Sequence, residues 1–250
     1  MKRTLVSRPW LIAAAFILVL ATGRMLAAEL QAIKLNPPDV KRGLPVMQAL
    51  AVRASVREFV EKDLSLQDLS DLLWAADGMS RPAENKSTAS SAMNAHDIRI
   101  YVFMKDGAYL YDSPKHELLP VLAGDFRAQL MMARPPRPAA ATAAAAPSAG
   151  TPPPAPPAAA VPAPPPQANP PVQIVLVSDS ERFKRGTPET KSEWGALDAG
   201  IVSQNISIFC AATGLKTVPR AMMDKARIKE LLKLTDAQNV FLNHPVGYAK

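Results

Sequence analysis

Arg53, Ser55 and Arg57 are the residues whose types and spacing most clearly permit chemistry, because two guanidinium groups bracket a hydroxyl at intervals of two. Guanidinium groups hold phosphate through charge-assisted, sometimes bidentate hydrogen bonds. In an extended segment the three side chains share one face, and in a helix Arg53 and Arg57 share a face through their i, i+4 spacing. The pattern therefore predicts either a phosphate clamp or a solvated basic turn.

Side chains for acid, base or nucleophilic catalysis are not grouped in the sequence. His96, His116 and His244 are scattered, without metal-ligand spacing. The chain has no P-loop, no G-x-G-x-x-G fingerprint and no G-x-S-x-G elbow. We therefore assign no catalytic side chain and no metal ligand from the sequence.

Helical patterns surround the arginine segment. Ser65 is the expected cap of one helix, and Thr187 and Gly214 are the expected cap and end of the longest one. That long helix spans roughly 39 Å, a length that suits passage through a core or a subunit interface. The sequence predicts helices at residues 45–52, 65–78, 116–130, 188–213 and 224–232. The apolar repeat of the long helix consists of Trp194, Leu197, Ile201, Asn205, Ile208 and Ala212.

Strand patterns alternate with these helices. Residues 98–104 are rich in β-branched and aromatic residues, and after the turn at 105–107 the AYLYD stretch predicts the returning strand of a hairpin. Residues 172–178 form a nearly continuous apolar run, which suits a strand covered on both faces. A last strand is expected near the C-terminus. The predicted class is α+β, with a mixed central sheet flanked by helices on both faces and a long central helix.

The N-terminal residues 1–28 have the pattern of a secretory signal. A basic start precedes the apolar run 10–21 and the small residues Ala27 and Ala28. We expect cleavage after Ala28, export to the periplasm and no stable membrane span afterwards; an uncleaved N-terminal anchor is the alternative. This segment contains four basic residues and no acidic residue, so the net charge of the chain falls from +7 to +3 when it is removed. The basic composition therefore gives no argument for nucleic-acid binding.

Residues 134–171 differ from the rest of the chain in composition. They contain 15 of the 25 prolines and almost no large apolar side chain. Such a segment cannot bury enough surface to offset its ordering entropy, so we predict disorder with polyproline II character. A linker between two domains is one interpretation. Neither flanking part has a complete set of elements, so we favour a single domain at residues 29–250 with a disordered Pro/Ala-rich insertion at 134–171.

Several stretches together make the chain resemble the nitroreductase family of flavin enzymes. The stretches occur in the order of the family and cover most of residues 45–133 and 172–250. They are Arg53-Ala54-Ser55-Val56-Arg57, SLQDLSDLLWAADGMSRP, TASSAMNAHDIRIYVF, GLKTVP and the closing PVGYAK. The resemblance implies a nitroreductase-like fold and a homodimer with two FMN sites at its interface. It also implies hydride transfer from NAD(P)H through FMN to a small-molecule acceptor.

The resemblance also implies roles for individual residues. Arg53, Ser55 and Arg57 would hold the FMN phosphate and ribityl chain. Ser91 and Asn94 match a Ser-x-x-Asn pattern whose Asn contacts the isoalloxazine edge; a turn or cap before the strand at 98–104 is the alternative for Asn94. Lys250 matches a basic residue that reaches the phosphate, and a frayed terminus is its alternative.

The chain departs from the family pattern around the flavin ring. Ser87 and Ser90 stand where the family often has Arg and Pro, and His96 stands where Gln is common. The Pro-x-x-Gly of the family is replaced after Pro219 by Arg220, Ala221 and Met222. These changes keep two alternatives open: a flavin-binding or partner-binding module with reduced turnover, and a flavin dehydrogenase of the azoline-oxidising type, which the DLLWAADGMSRP stretch resembles.

Overall fold

The computed structural model describes residues 29–131 and 170–250. The predicted signal at 1–28 lies outside the described residues, and so does most of the predicted insertion. Pro170 and Pro171 were assigned to that insertion, but both are buried at the start of a strand, and Arg127 Nη1 donates to each of their carbonyl oxygens at 3.1 Å. The C-terminal boundary of the Pro/Ala-rich segment therefore falls before Pro170.

Two helices lie in the first described range. Helix α1 spans Val46–Val52, and α2 spans Leu66–Asp77. Ser65 caps α2 as predicted, since its side chain accepts from the Asp68 backbone N–H, and the helix ends at Gly78. One face of α2 carries Leu69, Leu72, Leu73 and Ala76 into the core.

The second range contains the long helix and a short one. Helix α3 spans Pro188–Thr213 with Thr187 as its cap and Gly214 in a left-handed conformation after it, and α4 spans Lys225–Leu232. The apolar repeat of α3 is divided between surface and interior: Leu197 is 61% exposed and Ile201 is 37% exposed, whereas its other members are partly buried. The buried face consists of Gly195, Asp198, Ala199, Val202, Ser203, Ile206, Ser207 and Cys210. Small and polar residues occupy that face because the helix packs closely against the sheet.

Seven strands form the main sheet in the order β1-β6-β5-β4-β7-β9-β8. They are β1 (Ile33–Lys34), β4 (Ile98–Phe103), β5 (Gly107–Asp112), β6 (Glu117–Ala123), β7 (Val172–Asp179), β8 (Lys216–Thr217) and β9 (Gln238–Gly247). Strands β2 (Met79–Arg81) and β3 (Lys86–Ser87) form a separate pair. The ladders of the main sheet are antiparallel, and a parallel bridge joins Ser55 to Thr217 at its β8 edge.

The segment 116–130 was predicted to be helical, and this is wrong. Residues 117–123 form β6, which pairs with β5 on one side and β1 on the other, and a short 3₁₀ turn follows at Arg127–Leu130. The apolar run is compatible with either structure, and the tertiary pairing decides between them. Pro120 lies opposite Tyr109 where the register of β5 shifts, so the missing N–H of Pro120 is tolerated there.

Helices cover both faces of the sheet, as predicted for the apolar strand at 172–178. Ile174 and Leu176 of β7 pack in the cluster that includes α2 and α3. Val175 and Val177 point to the opposite face and pack with Ile228 and Leu232 of α4. Alternation along one strand thus fills two cores, and the predicted α+β class is confirmed.

Candidate functional site

The arginine segment is extended, which settles its geometry. Arg53 ends α1 with an extended backbone, and the Val56 N–H donates to the Thr217 carbonyl at 3.0 Å. In this geometry the side chains of Arg53, Ser55 and Arg57 lie on one face. All three residues are exposed. Within the described ranges, neither Arg53 nor Arg57 forms an ion pair, so both guanidinium groups are available to a ligand.

A buried histidine supports the strand against which this segment lies. His244 contacts Thr217 Oγ1 through Nδ1 at 3.1 Å and Ser203 Oγ through Nε2 at 2.8 Å. Burial lowers the pKa of His244 to about 3, so the imidazole is neutral at ordinary pH. The ring therefore ties β8 and β9 to α3 and fixes Thr217, whose carbonyl receives the arginine segment.

Arg220 is a further basic residue beside the clamp that the sequence analysis did not assign. It exchanges backbone hydrogen bonds of 2.8 Å with Asn243, which places it beside β9 three residues beyond the end of β8. Burial, and then the charge of Arg57, lower the pKa of Arg220. Both residues belong to segments that bond to the β8–β9 edge, since Val56 bonds to Thr217 and Arg220 bonds to Asn243. Because the described residues provide no carboxylate paired with either group, this end of the sheet favours an anion.

Lys250 lies beyond the same edge of the sheet. Lys216 of β8 pairs with Gly247, and the Val60 N–H donates to the Tyr248 carbonyl at 3.2 Å, so the C-terminal residues run beside the arginine segment. Lys250 itself is exposed. The structure brings its backbone to the correct edge, and its reach to a phosphate stays a prediction.

Ser91 and Asn94 belong to a tight turn before β4. The Asn94 N–H donates to the Ser91 carbonyl at 3.0 Å, and Ser91 Oγ accepts from the His96 N–H at 3.0 Å. Met93, Asn94 and His96 all have positive φ, between 48° and 55°. Non-glycine residues in this region cost free energy and persist where the surroundings fix them, often at functional sites.

The Asn94 amide is held in one orientation. Its Oδ1 accepts from Lys86 Nζ at 2.8 Å, and its Nδ2 donates to the Asn85 carbonyl at 3.3 Å. Lys86 was not singled out from the sequence, since a lysine on a two-residue strand carries no recognisable signal. The contact places a positive charge directly behind the amide.

Buried carboxyl groups lie next to this turn and bond to it or to its neighbours. The Ala92 N–H donates to Asp198 Oδ2 at 2.8 Å, and Ser178 Oγ donates to Asp97 Oδ2 at 2.5 Å. Burial and the neighbouring Asp198 raise the pKa of Asp97. Burial also raises the pKa of Asp77 to about 7. The turn is therefore held directly by Asp198, and the neighbouring Asp97 holds its proton more tightly than an exposed carboxyl group does.

Within one chain, the arginine segment and the turn at 91–96 occupy different parts of the fold. The turn contacts α3 at Asp198, while the Leu44 N–H, just before α1, donates to the Ala212 carbonyl near the other end of α3. These two anchor points are separated by roughly 21 Å along the helix axis at 1.5 Å per residue. The arginine segment itself contacts Thr217 of β8, which His244 joins to Ser203 in the middle of α3. Arg53, Ser55 and Arg57 therefore lie at the β8 edge of the sheet, whereas Ser91 and Asn94 precede β4, three strands away in the order β4-β7-β9-β8.

Two absences concern the described part of the chain. No three His, Cys, Asp or Glu side chains within 29–131 and 170–250 are grouped so that they could hold a metal ion. In the same ranges no helix is both long and apolar enough to cross a membrane.

The α+β fold with an arginine segment at the sheet edge and a strained turn before β4 defines a protein of the nitroreductase class. The model of the nitroreductase family matches residues 50–248, and the chain belongs to that family. Membership supports an oxidoreductase, since flavin-dependent oxidation and reduction is the chemistry of the family.

Individual relatives agree with this assignment. A predicted nitroreductase of Methanocaldococcus jannaschii is 24% identical over 221 residues, which cover 86% of this chain and 96% of that protein. The crystal structure of a predicted nitroreductase from Ralstonia eutropha JMP134 superposes with a TM-score of 0.70 at 26% identity, covering 90% of this chain and 92% of that one. The microcin synthetase McbBCD complex of E. coli shares the fold, with a TM-score of 0.59 at 14% identity over 99% of this chain and 85% of that one.

Proposed function

We propose that this protein is an FMN-dependent oxidoreductase that works as a homodimer with two composite sites. The observation that carries the proposal is the pair of neighbouring cations, Arg57 and Arg220, without a carboxylate partner in the described residues. Such a pair fits the dianionic phosphate of FMN. Arg53, Ser55, Arg57, Arg220 and Lys250 would hold the phosphate end.

A second copy would supply the ring end of each site. Within one chain the turn with Ser91 and Asn94 precedes β4, three strands from the β8 edge that receives the clamp. Exposed apolar residues cover α1 and the outer face of α3: Val46 (60% exposed), Met47 (73%), Leu50 (43%), Leu197 (61%) and Ile201 (37%). Antiparallel packing of two copies across this face would bury these residues. It would also bring Asn94 of one copy toward Arg57 of the other.

FMN, when bound, supplies the two-electron hydride chemistry between a donor such as NAD(P)H and a small-molecule acceptor. The side chains of this protein bind and orient. Asn94 offers an amide that Lys86 holds in place, and the arginines neutralise the phosphate. No side chain is assigned a catalytic proton transfer.

The predicted export bears on the donor. A chain threaded unfolded through the general route would collect FMN outside the cytoplasm, where NAD(P)H is scarce. We propose a periplasmic location and therefore keep a donor other than NAD(P)H as an option. The fold is shared with the microcin synthetase complex, a structure with truncated pro-MccB17 bound, and is therefore compatible with the azoline-oxidising alternative. It identifies no peptide for this chain.

The visible spectrum of the purified protein tests the proposal. We expect flavin absorption, released FMN identified by mass, and bleaching when an electron donor is added. Bound FMN that no donor bleaches would favour the binding-module alternative. A colourless protein that also takes up no added FMN would contradict the proposed function.

A further inference from the structure

An open cleft of about 780 Å³ lies between the strained turn and the loop that leads into α3. Its polar lining consists of Asn85, Asn94, His96, Arg182, Lys184 and Arg185. Asn94 is thus shared between this cleft and the proposed flavin site. No residue of the 182–185 loop belongs to the phosphate clamp described above.

The lining is cationic and has no acidic member. Arg182 Nε donates to the Ala95 carbonyl at 3.2 Å, and Arg185 Nε contacts Met93 Sδ at 3.2 Å, so neutral groups hold both side chains. None of the loop cations forms an ion pair within the described ranges. The charge of Arg182 also acts on the buried Asp77, whose pKa it lowers against the larger effect of burial. Because the charge of Arg182 is partly used by Asp77, the exposed Lys184 and Arg185 are the cations most available to bind a ligand.

Both walls of the cleft are fixed by the fold. On one side, the contact between Ala92 and Asp198 holds the turn. On the other side, Phe183 is 2% exposed and packs on Trp194 with ring centroids 5.6 Å apart. This packing anchors the loop at a point between Arg182 and Lys184. Gly186 follows with φ of 109°, a conformation that favours glycine. Lys184 and Arg185 are consequently presented on a supported loop beside Asn94.

We propose that this cleft binds the anionic group, a carboxylate or a phosphate, of the small molecule that exchanges electrons at the flavin site. Concentrated positive charge without internal counter-charge selects an anion and raises its local concentration. The shared Asn94 places that anion next to the proposed ring position. The inference rests on the proposed function and adds to it the chemical class of the substrate.

The first test compares reactions of the full-length, FMN-loaded protein that differ only in substrate charge. The variant is Lys184→Gln with Arg185→Gln, and the control is Lys225→Gln with Lys229→Gln, which removes two charges from α4 on the opposite face of the sheet. Reduced protein is mixed with 4-nitrobenzoate or with 4-nitrobenzyl alcohol, and flavin reoxidation is followed.

We expect the half-saturating concentration of 4-nitrobenzoate to rise about tenfold in the cleft variant, the combined effect of two partly exposed charges. The alcohol should be unaffected, and the control variant should match the parent. A second arm follows reduction of the oxidised flavin by NADPH. A change confined to that arm would assign the anionic group to the donor, whereas unchanged behaviour in both arms would overturn the proposal.

The second test does not require turnover. Calorimetric titration with inorganic pyrophosphate, in an Arg57→Ala background that weakens the clamp, should show binding that the cleft variant weakens about tenfold and the α4 variant does not. Equal affinity in all proteins would overturn the proposal. If the parent protein takes up no FMN, the proposed function has failed, while this titration still decides whether the cleft binds anions.

Discussion

The arginine segment at 53–57 lies at the β8 edge of the sheet, the turn at 91–96 precedes β4, and the two regions hold their side chains by different means. The arginines are exposed, lie on an extended backbone, and have no ion-pair partner among the described residues. Asn94 is fixed by Lys86 on a left-handed backbone that buried carboxylates support. The difference indicates that a ligand would order the first region, whereas the protein itself orders the second.

This contrast fits the two ends of a flavin. A phosphate is highly charged, and exposed arginine side chains can adjust their conformation to bind it, so little preorganisation is needed there. A ring edge needs an amide at one position and one orientation, so the surrounding fold must supply the rigidity. The same contrast predicts that variants of the first region change binding, while variants of the second change stability.

Leu197→Glu should have the largest effect. In the proposed homodimer it would prevent association, and the clamp of one copy would then no longer lie beside the turn of the other. A carboxylate on the outer face of α3 would be buried between copies without a partner. We expect a monomer by light scattering and FMN affinity weakened by about 3 kcal/mol, since the ring-end contacts that the second copy supplies would be lost while the clamp of the same chain is kept. Val121→Glu on β6, where Val121 is 40% exposed, is the matched control. A monomeric Leu197→Glu protein with full FMN affinity would contradict the composite site.

Arg57→Ala should weaken FMN binding by about 1.5 to 3 kcal/mol, the scale of a charged hydrogen bond. Arg220→Ala should have a smaller effect, because that guanidinium is partly buried beside Arg57. Arg227→Ala, which removes an arginine bonded to Gln129 and Glu230 on α4, should leave affinity unchanged. FMN titration of the apo-proteins measures all three. Equal losses in the three variants would mean that net charge, not the clamp, governs binding.

Gly195→Ala should destabilise the protein by about 1 to 3 kcal/mol through overpacking. A Cβ at this position would meet the Ser178 side chain, with Ser178 Cβ only 2.7 Å away, and would disturb the Ser178–Asp97 bond under the turn. Gly200→Ala in the same helix meets nothing within 4 Å and should stabilise by about 0.4 to 1 kcal/mol. Urea unfolding of both variants checks the difference, and similar midpoints would show that the turn does not depend on this close packing.

The pH dependence of stability should give the smallest signal, because two groups act in opposite directions. The pKa of Asp77 is raised to about 7 by burial, so its contribution is complete at acid pH and is lost as pH rises through 7. The pKa of His244 is lowered to about 3, so its contribution is present above its ordinary pKa and is lost as pH falls.

Asp77→Asn isolates the first of these contributions. Relative to this variant, the parent should lose stability between about pH 4, near the ordinary pKa of Asp, and about pH 7, as measured by urea midpoints. Asp236→Asn, on an exposed turn, is the control and should follow the parent. Parallel curves for the parent and Asp77→Asn would contradict the raised pKa of Asp77.

Local signals in the sequence predicted most elements of the fold. Ser65, Thr187 and Gly214 mark helix ends through short-range hydrogen bonding and backbone preference, and the structure confirms each of them. The segment 116–130 was predicted wrongly because its apolar run satisfies a helix as well as a strand, and only the partners β1 and β5 select the strand.

The candidate site divides in the same way. The types and spacing of Arg53, Ser55 and Arg57 left a phosphate clamp and a solvated basic turn open, and the resemblance to the nitroreductases favoured the clamp and pointed to Asn94. Arg220, Lys86 and the carboxylates beneath the turn were missed, because their roles arise from neighbours 8 to 163 positions away in the chain. No local pattern records such contacts.

The sequence by itself indicated most of the helices and strands, the family that the chain resembles, and a group of residues suited to a phosphate. Those properties depend on side-chain chemistry and on contacts within a few residues. Tertiary structure alone decided which face of α3 is buried, with Leu197 and Ile201 left exposed, and that the clamp lies at the β8 edge while the turn precedes β4. The physical reason is that packing chooses one face of a helix from several that are apolar enough, and that choice is made by the sheet against which the helix lies.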